Sequence, residues 1–294
     1  MLIKAFLRVC SWLPLPVLHG LGAVVGTLMA RLPTDARRIT MANLAMCFPD
    51  MGKEESERLL KASLIETART AFELGLIWMA PAQRALGLIV AISGYEVLQK
   101  ALDGGRGVIV IAPHLGSWEL SGLYMATCAP LTSLYKPPRL EPLQKLMTEV
   151  RERNGATLVP TNRKGVAMLF KALERGEAVG ILPDQEPPLD GGVFAPFFGT
   201  PALTMTLVSK LSARTGAPVV CMVAKRLPNS SGFEMVMTEA HQDIANGDTS
   251  IAAAALNKSV EACVLQSPAQ YQWEYRRYKH QPDGSKNTFY KRSS

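Results

Sequence analysis

The sequence predicts an α/β fold: a mostly parallel central sheet flanked by helices, with a membrane-associated helix at the N-terminus. Three observations carry this. From residue 88 onward, short apolar β-branched runs alternate with polar loops and helical spacings, the pattern of strands joined by crossover helices. Leu227-Pro228-Asn229-Ser230-Ser231-Gly232 has the chemistry of a hairpin turn, so one edge of the sheet is expected to be antiparallel. Residues 1–32 are strongly apolar and carry no acidic side chain.

In that first segment Lys4 and Arg8 precede Trp12, and Pro14 and Pro16 interrupt. Val17 to Ala30 then forms an apolar block rich in Gly and Ala, followed by Arg31, Arg37 and Arg38. The block is shorter than the roughly 20 residues that span a bilayer. A signal peptide is disfavoured by the poor small-residue cleavage pattern and by the basic residues that follow. That basic flank predicts that the bulk of the chain stays cytoplasmic. Residues 1–32 therefore read as a membrane anchor, either a short span or an interfacial helix with its arginines on lipid phosphates. A buried amphipathic helix would give the same pattern.

Residues 35–48 read as a short helix ending before Pro49. Lys53 to Met79 has helical spacing at Leu59, Leu60, Leu64, Ala68, Phe72 and Leu76, and its Trp78-Met79 end suits either lipid or core. A strand at 88–92 and a helix at 95–102 precede the break at Gly104-Gly105. Strands are then expected at 108–112, 132–135, 157–159, 179–182, 219–224 and 234–238, and helices at 117–127, 140–154, 164–175, 202–215 and 250–267. No internal repeat, low-complexity tract or linker divides residues 33–294.

Composition narrows the chemistry. Of 294 residues 48% are hydrophobic and 19% charged, enough for a substantial core. The net charge of +7 comes without a long lysine tract. This points to phospholipid headgroups or phosphorylated acidic substrates rather than nucleic acid, with ordinary solubility as the alternative. Cys10, Cys47, Cys128, Cys221 and Cys263 are scattered and form no Cys-x-x-Cys pair, which disfavours a disulfide framework or a metal site and favours a reducing compartment.

The chemically informative stretch runs from Val108 to Glu119: a β-branched strand, Pro113, His114, then Glu119. Residues five apart on one regular helix point about 140° away from each other, so His114 must lie in the loop to meet Glu119. Pro113 favours extended backbone before it, Gly116 permits a sharp turn, and Ser117 is the expected N-cap. Glu119 then falls in the first helical turn, where the dipole favours a negative charge, and could orient the imidazole as a general base. A loop histidine beside a helix-start glutamate gives the same pattern. A second strand end, Leu182-Pro183-Asp184-Gln185, carries similar polar cargo, and ligands collect beyond the carboxyl ends of strands in open α/β sheets. A shared cleft follows; Asp184 equally suits a loop cap. Ser133-Leu134-Tyr135-Lys136 fits Ser-x-x-Lys without its companion motifs, and no Gly-x-Ser-x-Gly elbow, phosphate loop or His-Glu-x-x-His site occurs.

Several segments, in order, resemble the late lauroyl/myristoyl acyltransferases of bacterial lipid A biosynthesis, within the lysophospholipid acyltransferase superfamily. They are Arg38-Ile39, Ala42-Asn43-Leu44 and Cys47-Phe48-Pro49; His114 to Glu119; Arg151 to Gly155; Asp184-Gln185; and Val193 to Gly199 with Thr204. The resemblance covers about residues 35–280. It implies an acyltransferase-like sandwich over 33–294 behind the 1–32 anchor. It also implies transfer of a fatty acyl chain from acyl carrier protein to a hydroxyl of a lipid A precursor, on the cytoplasmic face of the inner membrane, with no other cofactor. It makes His114 and Glu119 the catalytic pair and puts the basic substrate-binding segment at Arg151, with Arg153 beside it. Trp273-Glu274-Tyr275-Arg276-Arg277-Tyr278 departs from the family's Trp-x-His-Arg-Arg form, which bears on the acceptor and acyl preference.

On this reading the substrate supplies the attacking hydroxyl, His114 accepts its proton, and backbone amides near Gly116 or Arg151 receive the oxyanion. Lys136, Arg139, Arg151, Arg153, Arg163 and Lys164 are the candidate phosphate contacts near strand ends, with a solvated surface as the alternative. The phenylalanines of 194–198 either line an acyl tunnel or pack the core. The alternative activities are a glycerophospholipid or aminolipid acyltransferase, an acyl-thioester hydrolase, and a lipid-binding protein without catalysis.

Overall fold

A computed structural model describes residues 2–136, 141–153 and 155–290. The long apolar spacing becomes one helix, α4 (Lys53–Met79), preceded by α1 (Leu2–Trp12), α2 (Leu15–Arg31) and α3 (Asp35–Cys47), and followed by a short α5 (Ala82–Leu86). Thr34 starts α3 by accepting a hydrogen bond from the Arg37 backbone N–H at 3.1 Å. Beyond α5 the chain alternates: β1 (Ile89–Ser93), α6 (Tyr95–Asp103), β2 (Val108–Ile111), α7 (Trp118–Cys128), β3 (Leu131–Tyr135), α8 (Glu141–Arg153), β4 (Ala156–Pro160), α9 (Arg163–Glu174) and β5 (Ala178–Ile181). The hairpin of β6 (Gly192–Phe197) and β7 (Thr200–Met205) comes next, then α10 (Leu207–Thr215), β8 (Val219–Arg226), β9 (Phe233–Glu239) and α11 (Thr249–Gln266). The helix expected at 140–154 has both end residues outside the described residues, as has Arg139.

The main sheet has the order β1-β9-β8-β2-β5-β3-β4. Strands β8, β2, β5, β3 and β4 are mutually parallel. The turn at 227–232 makes β9 antiparallel to β8, and β1 then pairs parallel to β9 at the edge. Side chains alternate across a strand, so Ile109 and Ile111 enter one core with residues of α3, α9, α10 and α11. Val108 and Val110 enter the other with residues of α1, α2, α6 and α7. A parallel sheet buried on both faces requires such an unbroken apolar run.

Residues 202–215 are not one helix: the first four belong to β7, and α10 starts at Leu207. The two-residue turn Phe198-Gly199, both with positive φ, folds β7 back on β6 with Phe197 opposite Thr200. The cross-strand ladder outweighs the helical spacing of the apolar residues. Phe197 is buried in the core against Tyr271, Tyr278 and Phe198, which decides between tunnel and core for that ring.

The N-terminal segment is two helices packed on α4. At Gly26 of α2 an added Cβ would stand 2.3 Å from the Ile65 Cα, so only glycine allows this approach. His19 of α2 is buried, its Nε2 2.7 Å from Glu73 of α4. Among the described residues no single helix is long and apolar enough to cross a membrane; α2 and α3 meet the test only as a pair bent by 77°. The outward side of α1 and α2 nonetheless exposes Leu2, Phe6, Val9, Trp12, Val24 and Leu28. The opposite side of the same helices is core, so the block is buried and exposed by turns. Trp78 is buried, which places the end of α4 in protein.

Candidate active site

Parallel registration of two strands builds the site. Ile111 of β2 lies opposite Ile181 of β5. Three residues further along each strand, past a proline, stand His114 and Asp184. Asp184 is buried; its Oδ2 accepts from the His114 backbone N–H at 2.8 Å, and its Oδ1 lies 2.9 Å from Nδ1. Burial pushes the Asp184 carboxyl up, but the charge of His114 and its two hydrogen bonds outweigh that and hold it below the usual carboxylate range. An ionised Asp184 assigns the proton to Nδ1 and leaves Nε2 as the acceptor. Nε2 is 3.2 Å from the Gln185 side-chain amide. Two residues on, Glu186 grips the backbone N–H and Nδ1 of His280 in the same way, at 3.0 and 2.9 Å.

Glu119 does not orient His114, contrary to the expected pairing. Gly116 has φ +61°, and this turn leaves the imidazole facing β5 while Glu119 continues into α7. The Glu119 carboxylate instead accepts from Trp78 Nε1 at 3.0 Å and from Arg151 through Nε at 3.1 Å and through Nη2. Burial raises its pKa, but the Arg151 charge and these bonds bring it below the usual value. Trp118 lies between the two groups in sequence and packs on His114, ring centroids 5.1 Å apart. Ser117 occupies the N-cap position without a side-chain cap bond: its hydroxyl is buried and unpartnered, while its backbone N–H donates to the Ala224 carbonyl at 2.9 Å.

The turn is clamped from both sides. Gly116 N–H donates to Gln270 O, and Gln272 N–H donates to His114 O, each at 3.0 Å. Arg226, at the end of β8, donates to Gly116 O at 3.0 Å and to Glu73 at 2.5 and 2.8 Å. With Leu115 N–H on Pro113 O, the amides of 115–117 all donate to carbonyls of the chain, so none is spare for an oxyanion.

Beside this turn lies a small open cavity of about 70 Å³, walled by Ile77, Trp78, Leu123, Leu131 and Leu182, with the Glu119–Arg151 pair and Trp118 on its surface. Its lining is mainly apolar, with polar groups at that ion pair and at Ser133. Arg153 donates to Trp78 O at 3.2 Å and so ties α8 to α4. Lys136, Arg163 and Lys164 are exposed just past β3 and β4, on the same edge of the sheet as His114. Among the described residues no group of three or more His, Cys, Asp or Glu could hold a metal ion.

The model of the bacterial lipid A biosynthesis acyltransferase family matches residues 1–280. The chain belongs to that family. It is an acyltransferase. The chain is 30% identical over 281 residues to the lipid A biosynthesis palmitoleoyltransferase of Escherichia coli strain K12, covering 94% of this chain and 90% of the relative. It is 29% identical over 273 residues to the lauroyltransferase of the same organism, covering 92% and 88%. To the myristoyltransferase it is 23% identical over 259 residues, covering 88% and 78%.

For this acyltransferase, sequence reasoning found His114 and placed Asp184 in the same cleft, but missed their direct bond. The matching strand-end pattern was the available signal. Gln185 stood in the same strand-end segment as Asp184; Gln270 and Arg226 were missed, and nothing local marks them: their contacts join residues more than forty positions apart.

Proposed function

We propose that this acyltransferase moves a fatty acyl chain from acyl carrier protein to a hydroxyl of a lipid A precursor, at the cytoplasmic face of the bacterial inner membrane. The observation that carries the reading is the buried carboxylate of Asp184 on His114 Nδ1, beside a cavity lined mainly by apolar side chains. His114 Nε2 takes the proton of the acceptor hydroxyl as its oxygen attacks the thioester carbonyl. Asp184 fixes the tautomer and stabilises the imidazolium. The tetrahedral intermediate collapses with loss of the C–S bond, and the imidazolium returns its proton to the leaving thiolate. No serine of the chain and no further cofactor enters.

Glu119 acts on Arg151, holding its guanidinium at the cavity wall where the developing oxyanion needs a cation. Arg153, Lys136, Arg163 and Lys164 supply positive charge for the phosphates of the acceptor. The exposed apolar side of α1 and α2, with Lys4, Arg8 and Arg31 in the same helices, rests on the bilayer. The three relatives named above differ in their acyl groups, so the chain transferred is read from the product.

The test is to incubate the purified protein with labelled acyl carrier protein thioester, with and without lipid A precursor, and to weigh the products. The expected product is precursor heavier by one acyl group. Free fatty acid alone means a hydrolase; label only on glycerophospholipid or aminolipid means a different acceptor. Lipid A from a strain lacking the protein is expected to lack one secondary acyl chain.

A further inference from the structure

Trp118 borders two cavities. Besides the first, it lines a second space of about 220 Å³ between α4 and the segment after α11. Thr67, Thr70, Gln270, Gln272 and Glu274 also line it. More of its lining residues are polar than in the first, alongside Ala71 and Leu74. The Gln272 side-chain oxygen is buried and accepts no hydrogen bond in the chain, so its acceptor capacity is left to water or a ligand. Glu274 accepts from the Thr67 hydroxyl at 3.0 Å and from the Gln272 side chain, and burial raises its carboxyl pKa above the ordinary value. Among the described residues the lining has no Lys or Arg. A phosphate would meet a carboxyl and no cation here. Neutral hydroxyl and amide groups would meet the Trp118 indole, the Gln272 oxygen and the Glu274 carboxyl; the Gln270 amide and the Thr70 hydroxyl are already bonded to Arg226.

The space is also fixed to the catalytic turn. The backbone N–H of Gln272 holds the His114 carbonyl at 3.0 Å, and Trp118 packs on the imidazole.

We propose that this second cavity binds the sugar ring of the acceptor lipid, with Gln272 accepting from a ring hydroxyl or amide and Trp118 forming the flat wall. This rests on the reading of the protein as an acyltransferase for a sugar lipid. It divides the labour: acyl chain in the apolar cavity, sugar in the polar one, Trp118 between.

Two variants test it. Gln272→Leu removes the unpartnered acceptor and leaves the backbone clamp on His114. Ala71→Trp, at an exposed position on the rim in α4, fills the space from outside. Both are expected to raise KM for lipid A precursor by about tenfold, the worth of one hydrogen bond, with KM for the acyl donor changed less than twofold. In parallel, a glucosamine disaccharide without phosphates or acyl chains is titrated into the unmodified protein and into Ala71→Trp, following indole fluorescence. Saturable binding to the first and none to the second is expected. If the unmodified protein acylates the precursor while both variants keep acceptor KM within twofold, the inference is overturned and the acyltransferase reading stands. A rise in donor KM instead assigns the cavity to the donor and also overturns it. If no sugar lipid is acylated, the functional reading fails, and the disaccharide titration still decides whether the cavity binds a sugar.

Discussion

Replacing Arg226 by methionine removes the guanidinium that joins the core to the catalytic turn. Arg226 donates to both carboxylate oxygens of Glu73, at 2.5 and 2.8 Å, and to the Thr70 hydroxyl and the Gly116 carbonyl. Without it Glu73, 1% exposed, keeps only His19 as a partner. Stranding a buried charge in this way costs about 3–5 kcal/mol. That cost is a large share of the roughly 5–15 kcal/mol that holds a domain folded. Burial raises the Glu73 carboxyl, but the Arg226 charge and the bonds from His19 and Arg226 bring it down to about 2. Urea unfolding at pH 7 is the assay, with a drop of about 3 kcal/mol expected and an unchanged m value. The sign with pH follows. A lowered carboxyl stabilises above its unfolded pKa, so the native protein keeps this contribution above about pH 4.3. It loses the contribution as pH falls towards about 2, the folded value. Arg226→Met has none to lose. The double change Arg226→Met with Glu73→Leu is expected to recover most of the loss, because no buried charge is then stranded. An Arg226→Met protein within 0.5 kcal/mol of the parent, a margin typical of surface changes, refutes the reasoning.

Three other outcomes follow from the geometry. Asp184→Asn keeps the shape but removes the charge that assigns the Nδ1 proton, so kcat falls by about 10²- to 10⁴-fold; the native protein also loses stability as pH drops below about 4, and the variant does not lose this part. Gly116→Ala places a Cβ 2.2 Å from the Ala224 carbonyl at φ +61°; the left-handed backbone alone costs about 1–2 kcal/mol, and both melting temperature and turnover drop. Val24→Glu, on the exposed side of α2, leaves melting unchanged and weakens binding to anionic phospholipid vesicles in a flotation assay by about tenfold or more.

The strands were legible because their β-branched apolar runs are short and bounded by turn residues, which separates them from buried helices. Val108 to Ile111 needs apolar side chains on both faces, and the run says so. Lys53 to Met79 was legible for the converse reason, an apolar stripe at helical spacing. The β6–β7 hairpin was not, because Phe198 occupies a positive-φ turn position that bulky residues seldom take, so the turn carries no local mark. At the site, the place of His114 after a strand was legible, whereas the spacing to Glu119 suggested a pairing that the structure gives to Asp184 instead. The partner of His114 depended on strand order: β5 had to neighbour β2 in register before Asp184 could reach Nδ1. Neither β2 nor β5 contains that information alone. The C-terminal clamp through Gln270 and Gln272 is of the same kind, a contact between distant segments made by backbone groups that every residue possesses.

Single-turnover transfer of a labelled acyl group to lipid A precursor by His114→Ala tests the central claim most directly, with melting temperature and vesicle binding checked on the same preparation. The account predicts transfer slower by about 10²-fold or more in a protein that still folds and still binds vesicles. Transfer at a near-parental rate by that folded variant contradicts it, because another group would then have to take the hydroxyl proton.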